Sequence, residues 1–379
     1  MKIAILVLHH HKSHILRKKL KQTTSGKLTI YYLFNKLFSI TNKVTINKFY
    51  SLHIFHFNLR MKQLFEEIID TKIHAIHFLQ TNGVIPNTKI CPGPWINGKR
   101  RGKCGQPMVL KEVKDRKDNI TWRCRKVHKT MVGDKEYIRK DVKVTVREGT
   151  WLQNVNLTLE EIILILYCWA NNYTNEQIEH EVGCSDKTVS KWCHFLRQSC
   201  FAHVLDCSEP IGGPGIEVEI DESKFGRRKY YQGRHVEGKW IFGGRETRNK
   251  KKIFMVPVDD RSKATLIPII QERILVGSTI QSDKWAAYRG LNKLGYKHIT
   301  VNHSKHFKDP KTGACTNRIE SDWRHAKVSM PRYGVKKGQH ATYLAEFMWR
   351  RKFSDDDPFK TIIEQLNYHY DKQYFKKLP

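Results

Sequence analysis

The sequence predicts an α/β protein: a mixed sheet flanked by helices in the C-terminal half, preceded by a helical region and a small Cys-rich segment. Three observations carry this. Beyond residue 216, stretches of period-2 alternation give way to helical periodicity and back again. Between 157 and 203 the apolar residues recur at helical spacing, and Ser or Thr stands before each run. Between 85 and 150, Lys, Arg, Gly and Cys dominate and there is too little apolar sequence for a core.

The chain has 379 residues, room for two or three domains, with 68 Lys plus Arg against 37 Asp plus Glu and a net charge of +31. A chain this basic calls for a polyanionic partner, DNA or RNA. No apolar run approaches a membrane span, so no membrane association is expected. The organisation along the chain does not suit a histone-like or ribosomal binder without chemistry. Nine cysteines, an odd number and no secretory signal argue for reduced thiols or a metal site over a disulfide framework.

Residues 1–60 hold no Asp or Glu and show no clear period. The apolar start Ile3 to Leu8 is short for a signal peptide, and Lys and Asn replace the Arg and Ser of a mitochondrial presequence. This basic extension reads as translated upstream sequence, with Met61 as the natural start. Residues 61–84 read as one amphipathic N-terminal helix, carrying Leu64, Phe65, Ile68, Ile69, Ile73, Ile76 and Leu79, and Gly83 and Pro86 end it.

Residues 85–150 form a candidate zinc ribbon. Cys91, Cys104, Cys124 and His128 supply the Cys and His set that tetrahedral zinc accepts. The Cys124–His128 interval is ordinary for zinc. Twelve residues separate Cys91 from Cys104, which is no tight knuckle, so free cysteines in a basic loop are the alternative.

Residues 155–208 read as a helix-turn-helix. Thr158 with Glu161, and Thr174 with Gln177, are capping boxes; Gly183 supplies the turn, and Ser185 caps a third helix whose buried stripe is Val189, Trp192, Leu196 and Cys200. Lys187, Thr188, Ser190 and Lys191 are thereby left at the start of a recognition helix, for phosphates and base edges. A plain helical bundle with a basic face is the alternative. Pro210 to Gly215 is a linker by composition.

Over 216–353 the expected order is strand (216–221), strand (239–245), strand (252–258), helix (263–274), strand (278–282), helix (285–294), strand (297–302), helix (316–329). Three sequential strands followed by alternating helices and strands are the order of the RNase H-like fold. Its acids lie on the first strand, after the fourth strand and on a late helix. Asp221, Asp283 and Glu320 fall there. Three convergent carboxylates can hold two divalent cations about 4 Å apart for in-line attack on a phosphodiester. Glu217 and Glu219 share the strand face of Asp221 but lie further from its end, and Glu222 points to the other face. Asp259-Asp260 fall at a helix start, where capping is the default role. Asp322 lies about 200° round the helix from Glu320, so only one of the two can face the cations, and Glu320 is preferred. Lys224, Arg227, Arg228 and Lys229 crowd the first hairpin, placed to track a DNA backbone. His303 and His325 are further candidates near the scissile phosphate. Residues 354–379 give a last helix and a tail.

The stretches Val218 to Gly226, Gly238 to Gly244, Ser282 to Tyr288, Val301 to Ser304 and Asn317 to Arg324 resemble the ISXO2-like transposases of the IS1595/Merlin type over most of residues 85–353. The resemblance implies an acidic triad of Asp221, Asp283 and Glu320 using Mg2+ or Mn2+, and an N-terminal segment with structural Zn2+. It implies cleavage at terminal inverted repeats and strand transfer into target DNA by a homodimer or higher oligomer. The protein would then work in the nucleus of a eukaryote, or in the cytoplasm and nucleoid of a bacterium, and would not be secreted. Two alternatives stand beside this active transposase: a domesticated or decayed copy that binds DNA without moving it, and a nuclease of the same fold.

Overall fold

In the computed structural model the β-strands are numbered in chain order, and the sheet that dominates the C-terminal half is built from β9 (Glu217–Phe225), β10 (Lys239–Glu246), β11 (Ile253–Val258), β13 (Thr279–Ser282) and β14 (Lys297–Thr300). The structure describes residues 59–100, 104–114, 117–139, 141–226, 238–301, 315–331, 334–336 and 338–371. The extension before residue 59 and Arg227, Arg228, Lys229 and His303 lie outside them.

The strand order is β11-β10-β9-β13-β14. β9, β10 and β11 are antiparallel neighbours, whereas β13 runs parallel to both β9 and β14, so the sheet is mixed. Strand alternation sorts the two faces. Val218, Ile220, Phe242, Phe254 and Val258 pack against Leu266 and Ile270 of one helix. Phe225, Ile241, Ile253 and Met255 pack on the other side against Ile319, Trp323, Leu344 and Phe347 of two later helices. Asp221 and Glu219 belong by parity to this second face, and Glu222 to the first.

The segment before the sheet opens with a broken helix. A helical stretch from Met61 to Ile68 stops, and α1 (Lys72–Thr81) begins afresh. The expected single helix fails because Asp70 accepts from the Thr71 N–H at 2.7 Å and Thr71 caps the His74 N–H, local bonds that compete with the helical ladder. Short strands follow: β1 (Trp95–Ile96) with β2 (Lys99–Arg100), the sheet β3 (Val109–Glu112), β4 (Ile120–Cys124) and β7 (Val142–Thr145), and the hairpin β5 (His128–Val132) with β6 (Lys135–Arg139). Arg147, buried, donates to both oxygens of buried Asp118 and to the Val155 carbonyl, pinning the exit from this segment.

Three helices come next: α2 (Leu159–Ala170), α3 (Asn175–Val182) and α4 (Asp186–Cys207). The anticipated caps form: Thr158 and Glu161 reciprocally, Thr174 and Gln177 likewise, and Ser185 on the Thr188 N–H. Gly183, at φ +72°, ends α3 in the left-handed conformation a turn needs. α2 is buried almost all round, and its core also takes Trp122, Cys124, Val189, Trp192 and Leu196.

Within the expected linker Pro210 to Gly215, Ile211 to Gly213 are packed structure and not a free tether. β8 (Ile211–Gly212) pairs with β12 (Ile274–Leu275), and the Gly212 and Gly213 N–H groups donate to Glu246 and to Ser278 Oγ. A Cβ at Gly212 would overlap that Ser278 hydroxyl. These glycines serve close approach.

α5 (Lys263–Arg273) covers the first face and α6 (Asn317–Val328) and α7 (His340–Lys352) the second. The helix expected over 285–294 is instead two short turns, Ala286–Tyr288 and Leu291–Leu294, separated where Gly290 takes φ +96°. α7 contributes Leu344 and Phe347 to the sheet core but Ala345 and Trp349 to the helical core. α8 (Pro358–Asp371), the expected last helix, returns to the helical core, where Phe359 stacks on Phe78 and meets Tyr167 edge-on.

Candidate functional site

β9 places Asp221 on the face covered by α6. The carboxylate accepts the Trp323 indole N–H at 3.0 Å. Trp323 reaches it because the residue paired with Asp221 is Gly243, where any Cβ would stand 2.6 Å from the indole and 3.0 Å from the Phe254 carbonyl. Burial pushes the Asp221 carboxyl up to about 7; the Trp323 bond and the Glu222 backbone N–H oppose the rise, and the charges of Asp283 and Glu320 add to it. Asp283 and Glu320, the other two acids singled out in the sequence, are therefore both near enough to act on Asp221.

Asp283 follows β13, half-buried, and accepts the Trp285 N–H at 2.9 Å. Glu320 lies exposed in the first turn of α6, with the Thr316 hydroxyl donating to it at 3.0 Å. Asp322, its rival, is 1% exposed, bonded to Arg245 at 2.9 Å and also to Arg351. A carboxylate held between two arginines is committed to joining α6 to β10 and α7, whereas Glu320 is the exposed acid of this helix.

Glu219, two residues before Asp221, is 0% exposed. Its carboxylate takes the Arg318 and Ile319 backbone N–H groups at 2.9 Å each and the Arg318 guanidinium at 2.9 Å. It is thus a cap for α6 supplied from the sheet, satisfying N–H groups a helix start leaves orphaned. The same strand holds one acid of the site and fixes the helix bearing another. On the opposite face Glu222, 3% exposed, accepts from Tyr288 and lies 3.7 Å from Arg261. Burial and the charges of Asp221 and Asp283 push its carboxyl up to about 8, against the pull of Arg261. The cap of α5 is Ser262 and not the Asp259-Asp260 pair: Asp260 accepts the Ser262 N–H and the Thr265 hydroxyl, bracing that cap, and Asp259 pairs with Lys239. His325 turns its ring to its own helix, bonding the Ser321 carbonyl.

The second cluster is Cys91, Cys104, Cys124 and His128, whose ligand atoms all lie within 4.8 Å of one another. Cys91 Sγ is 3.4 Å from His128 Nε2, and Cys104 Sγ is 3.8 Å from Cys124 Sγ. A tetrahedral zinc with bonds of about 2.3 Å to sulfur and 2.0 Å to nitrogen requires edges of roughly 3.8 and 3.5 Å. The donors fit. His128 turns Nδ1 to the Arg139 carbonyl at 3.3 Å, leaving Nε2 for a metal. Burial raises the Cys91 thiol to about 12, so without a cation this sulfur keeps its proton. The β1–β2 hairpin lies within the twelve-residue gap, and the Ile90–Pro107 bridge, with the Cys91 N–H on the Gln106 carbonyl at 2.8 Å, brings the two cysteines together despite their separation.

On α4, Lys187, Ser190 and Lys191 are exposed. Thr188 is half-buried and its hydroxyl is 3.0 Å from that of Ser185, so it is engaged in the cap. Ser190 leans on Asp186 at 3.3 Å. Lys224, exposed, ends β9 with its ammonium 5.7 Å from the Trp240 ring.

The arginine pair around Asp322 and the reach of Glu219 have no local signature, since their partners lie far off in sequence. Trp323 had one: it repeats Ile319 on the buried face of α6, and both enter the same core cluster.

Residues 211–352 match the family model of the ISXO2-like transposase domain. An uncharacterized transposase-like protein of Haemophilus influenzae is 32% identical over 118 residues, 31% of this chain and 94% of that protein. The male abnormal protein mab-31 of Caenorhabditis elegans is 23% identical over 337 residues, 82% of this chain and 71% of that one. A crystal structure of a pre-cleavage Mos1 transpososome covers 56% of this chain and 79% of its own, at 9% identity and a TM-score of 0.17, too low to carry an argument.

Proposed function

This chain belongs to the ISXO2-like transposase family, and on that premise we propose that it is a DNA transposase that cleaves at terminal inverted repeats and joins the freed end to target DNA. The observation that carries the reading is that Asp221, on the central strand of a mixed sheet, feels the charges of both Asp283 and Glu320, with Asp322 withdrawn into an arginine pair. The sheet is read as RNase H-like: the acids stand on its first strand, after its fourth long strand and on a late helix. Divalent cations, Mg2+ or Mn2+, would sit on these carboxylates and supply neutralisation of the phosphodiester and activation of the attacking oxygen. The chain's own groups do the positioning. Trp323 orients Asp221, Thr316 orients Glu320, and Glu219 holds α6 against the sheet.

DNA recognition is assigned to α3, the Gly183 turn and α4 as a helix-turn-helix, with Lys187 and Lys191 on phosphates and Ser190 toward bases. Thr188 serves the cap more than the groove. Lys224 belongs to a basic hairpin beside the acids. Zinc held by Cys91, Cys104, Cys124 and His128 would staple residues 85–150. Two DNA ends must be held together, so a dimer or higher oligomer is expected, working where chromosomal DNA lies. Among the described residues no helix is long and apolar enough to cross a membrane.

The test is strand cleavage of a repeat-bearing duplex with Mg2+ or Mn2+. Asp221→Ala, Asp283→Ala and Glu320→Ala should each abolish cutting and leave repeat binding nearly intact; cutting by the Glu320→Ala protein would remove Glu320 from the centre. One observation favours a second reading, a domesticated DNA-binding protein: the long match to a relative named as a male abnormal protein and not as a transposase. Wild-type protein that binds repeats yet leaves them uncut in either metal would decide for it.

A further inference from the structure

Beside Asp283 four side chains pile into a column. The Arg261 guanidinium lies 4.4 Å from the Trp285 ring centre and 4.0 Å from that of Trp240, and the Lys224 ammonium stands 5.7 Å from Trp240. Cation and indole alternate through all four layers. The column is locked in place. Trp285 Nε1 donates to the Arg261 carbonyl at 3.0 Å, its backbone N–H donates to Asp283 Oδ1 at 2.9 Å, and Arg261 reaches Glu222 at 3.7 Å. Trp285 ends the column and is 38% exposed. With one ring face against Arg261, that exposure falls on the rest of the indole.

A structural role accounts for the inner layers. Arg261 and Trp240 tie the start of α5 to β10, and the guanidinium lies 3.7 Å from the Glu222 carboxyl. It does not account for a fixed, solvent-facing indole two residues from an acid of the site, next to exposed Lys284. Rigid aromatic faces beside cations are what unpaired nucleotides bind, since every base has a π-face and every phosphate a charge.

We propose that Trp285 is a stacking platform for the nucleobase at the DNA end held by Asp221, Asp283 and Glu320, with the adjacent Lys284 drawing in its phosphate. The ligand is an unpaired nucleotide of the cleaved strand. This rests on the transposase reading of the acidic centre and deepens it. Preformed as it is, the platform fixes where the terminal nucleotide lies, and hence where its 3′-hydroxyl points.

The probe is a duplex with a two-nucleotide 3′ overhang whose last base is 2-aminopurine, bound by the full chain in Ca2+. Stacking on Trp285 should quench the probe's fluorescence on binding. Trp285→Ala should abolish the quenching and weaken binding about ten-fold, the effect of losing one base stack. Trp285→Phe, which keeps a ring but not the bond to Arg261, should restore most of both, and an abasic last position should make wild type and Trp285→Ala bind alike. Circular dichroism of the variants separates misfolding from loss of the site. Unchanged quenching and affinity in Trp285→Ala would overturn the proposal, as would loss of both in well-folded Trp285→Phe. The two readings fail separately. Wild type that quenches the probe but never cuts repeats in Mg2+ refutes the transposase reading and keeps the platform; wild type that cuts repeats without quenching refutes the platform alone.

Discussion

Replacing Asp221 by Asn should make the metal-free protein more stable while destroying its activity. The carboxyl is pushed from its ordinary 3.8 to about 7 by burial first, with the charges of Asp283 and Glu320 behind it. Because the folded-state value is raised, the folded chain binds this proton more tightly than the unfolded chain. The stabilisation is fully present below pH 3.8 and is lost as pH rises through about 7. Above that, ionised Asp221 costs the fold about 4 kcal/mol at about 1.4 kcal/mol per pK unit, an upper figure that water entering the site would reduce to about 1–3 kcal/mol. Asn carries no charge and its Oδ1 still accepts the Trp323 N–H, so the substitution removes the repulsion and keeps the geometry. At roughly 2 °C per kcal/mol for a chain of this size, thermal melts in chelator should show a Tm gain of roughly 2–6 °C at about pH 8. The gain should vanish near pH 4. Adding Mg2+ should stabilise wild type and leave the variant unmoved, since only a folded state with its full ligand set gains from the cation. A gain of equal size at both pH values would mean that something other than charge was relieved, and a loss at pH 8 would refute the crowding of the three acids.

The remaining predictions concern the other two surfaces. Protein purified without chelator should carry about one zinc per chain on Cys91, Cys104, Cys124 and His128, and metal analysis finding none in folded protein would remove that site. Lys187→Ala combined with Lys191→Ala should weaken repeat binding and flatten its salt dependence by about one unit of slope per lost contact. An unaltered slope would mean that α4 does not touch DNA and would turn attention to the basic segments near Arg100 and Arg228.

Local chemistry was legible wherever the deciding partners lie within one turn or one strand. Thr158, Thr174 and Ser185 announce their helices because a cap and its N–H are three residues apart. The alternation from Val218 to Asp221 gives both the strand and its two faces. Where a local bond competes with a longer pattern, the pattern misleads. The apolar period of 61–83 runs straight through Thr71, whose side chain nonetheless starts a new helix. The period of 285–294 passes over Gly290, whose positive φ ends it. Glycine is the most ambiguous signal of all. The same composition suits a tether and a close approach, and only the Ser278 hydroxyl against Gly212 tells that 211–213 is the latter.

The acids proposed for the centre were picked out by local setting, although β9 runs on to Phe225 and so holds Asp221 in mid-strand and not at the end the sequence suggested, and the contacts that hold their elements have no local signature. Glu219 meets the amides of Arg318 and Ile319 across about a hundred residues, and Asp322 meets Arg245 and Arg351 from two further elements. These contacts explain a choice the helical wheel leaves open. With Asp322 neutralised by two arginines and Glu219 spent on the start of α6, Asp221 on β9 and Glu320 on α6 are the acids of this face that the proposed centre draws on. Asp221 and Glu219 are two residues apart and so point the same way from one strand. A slip of β9 by one residue would turn both to the α5 face, uncapping α6 and removing Asp221 from Glu320 in a single step. In the observed register Asp221 stands opposite Gly243, and the room that glycine leaves is what lets Trp323 lie over the sheet and reach the carboxylate.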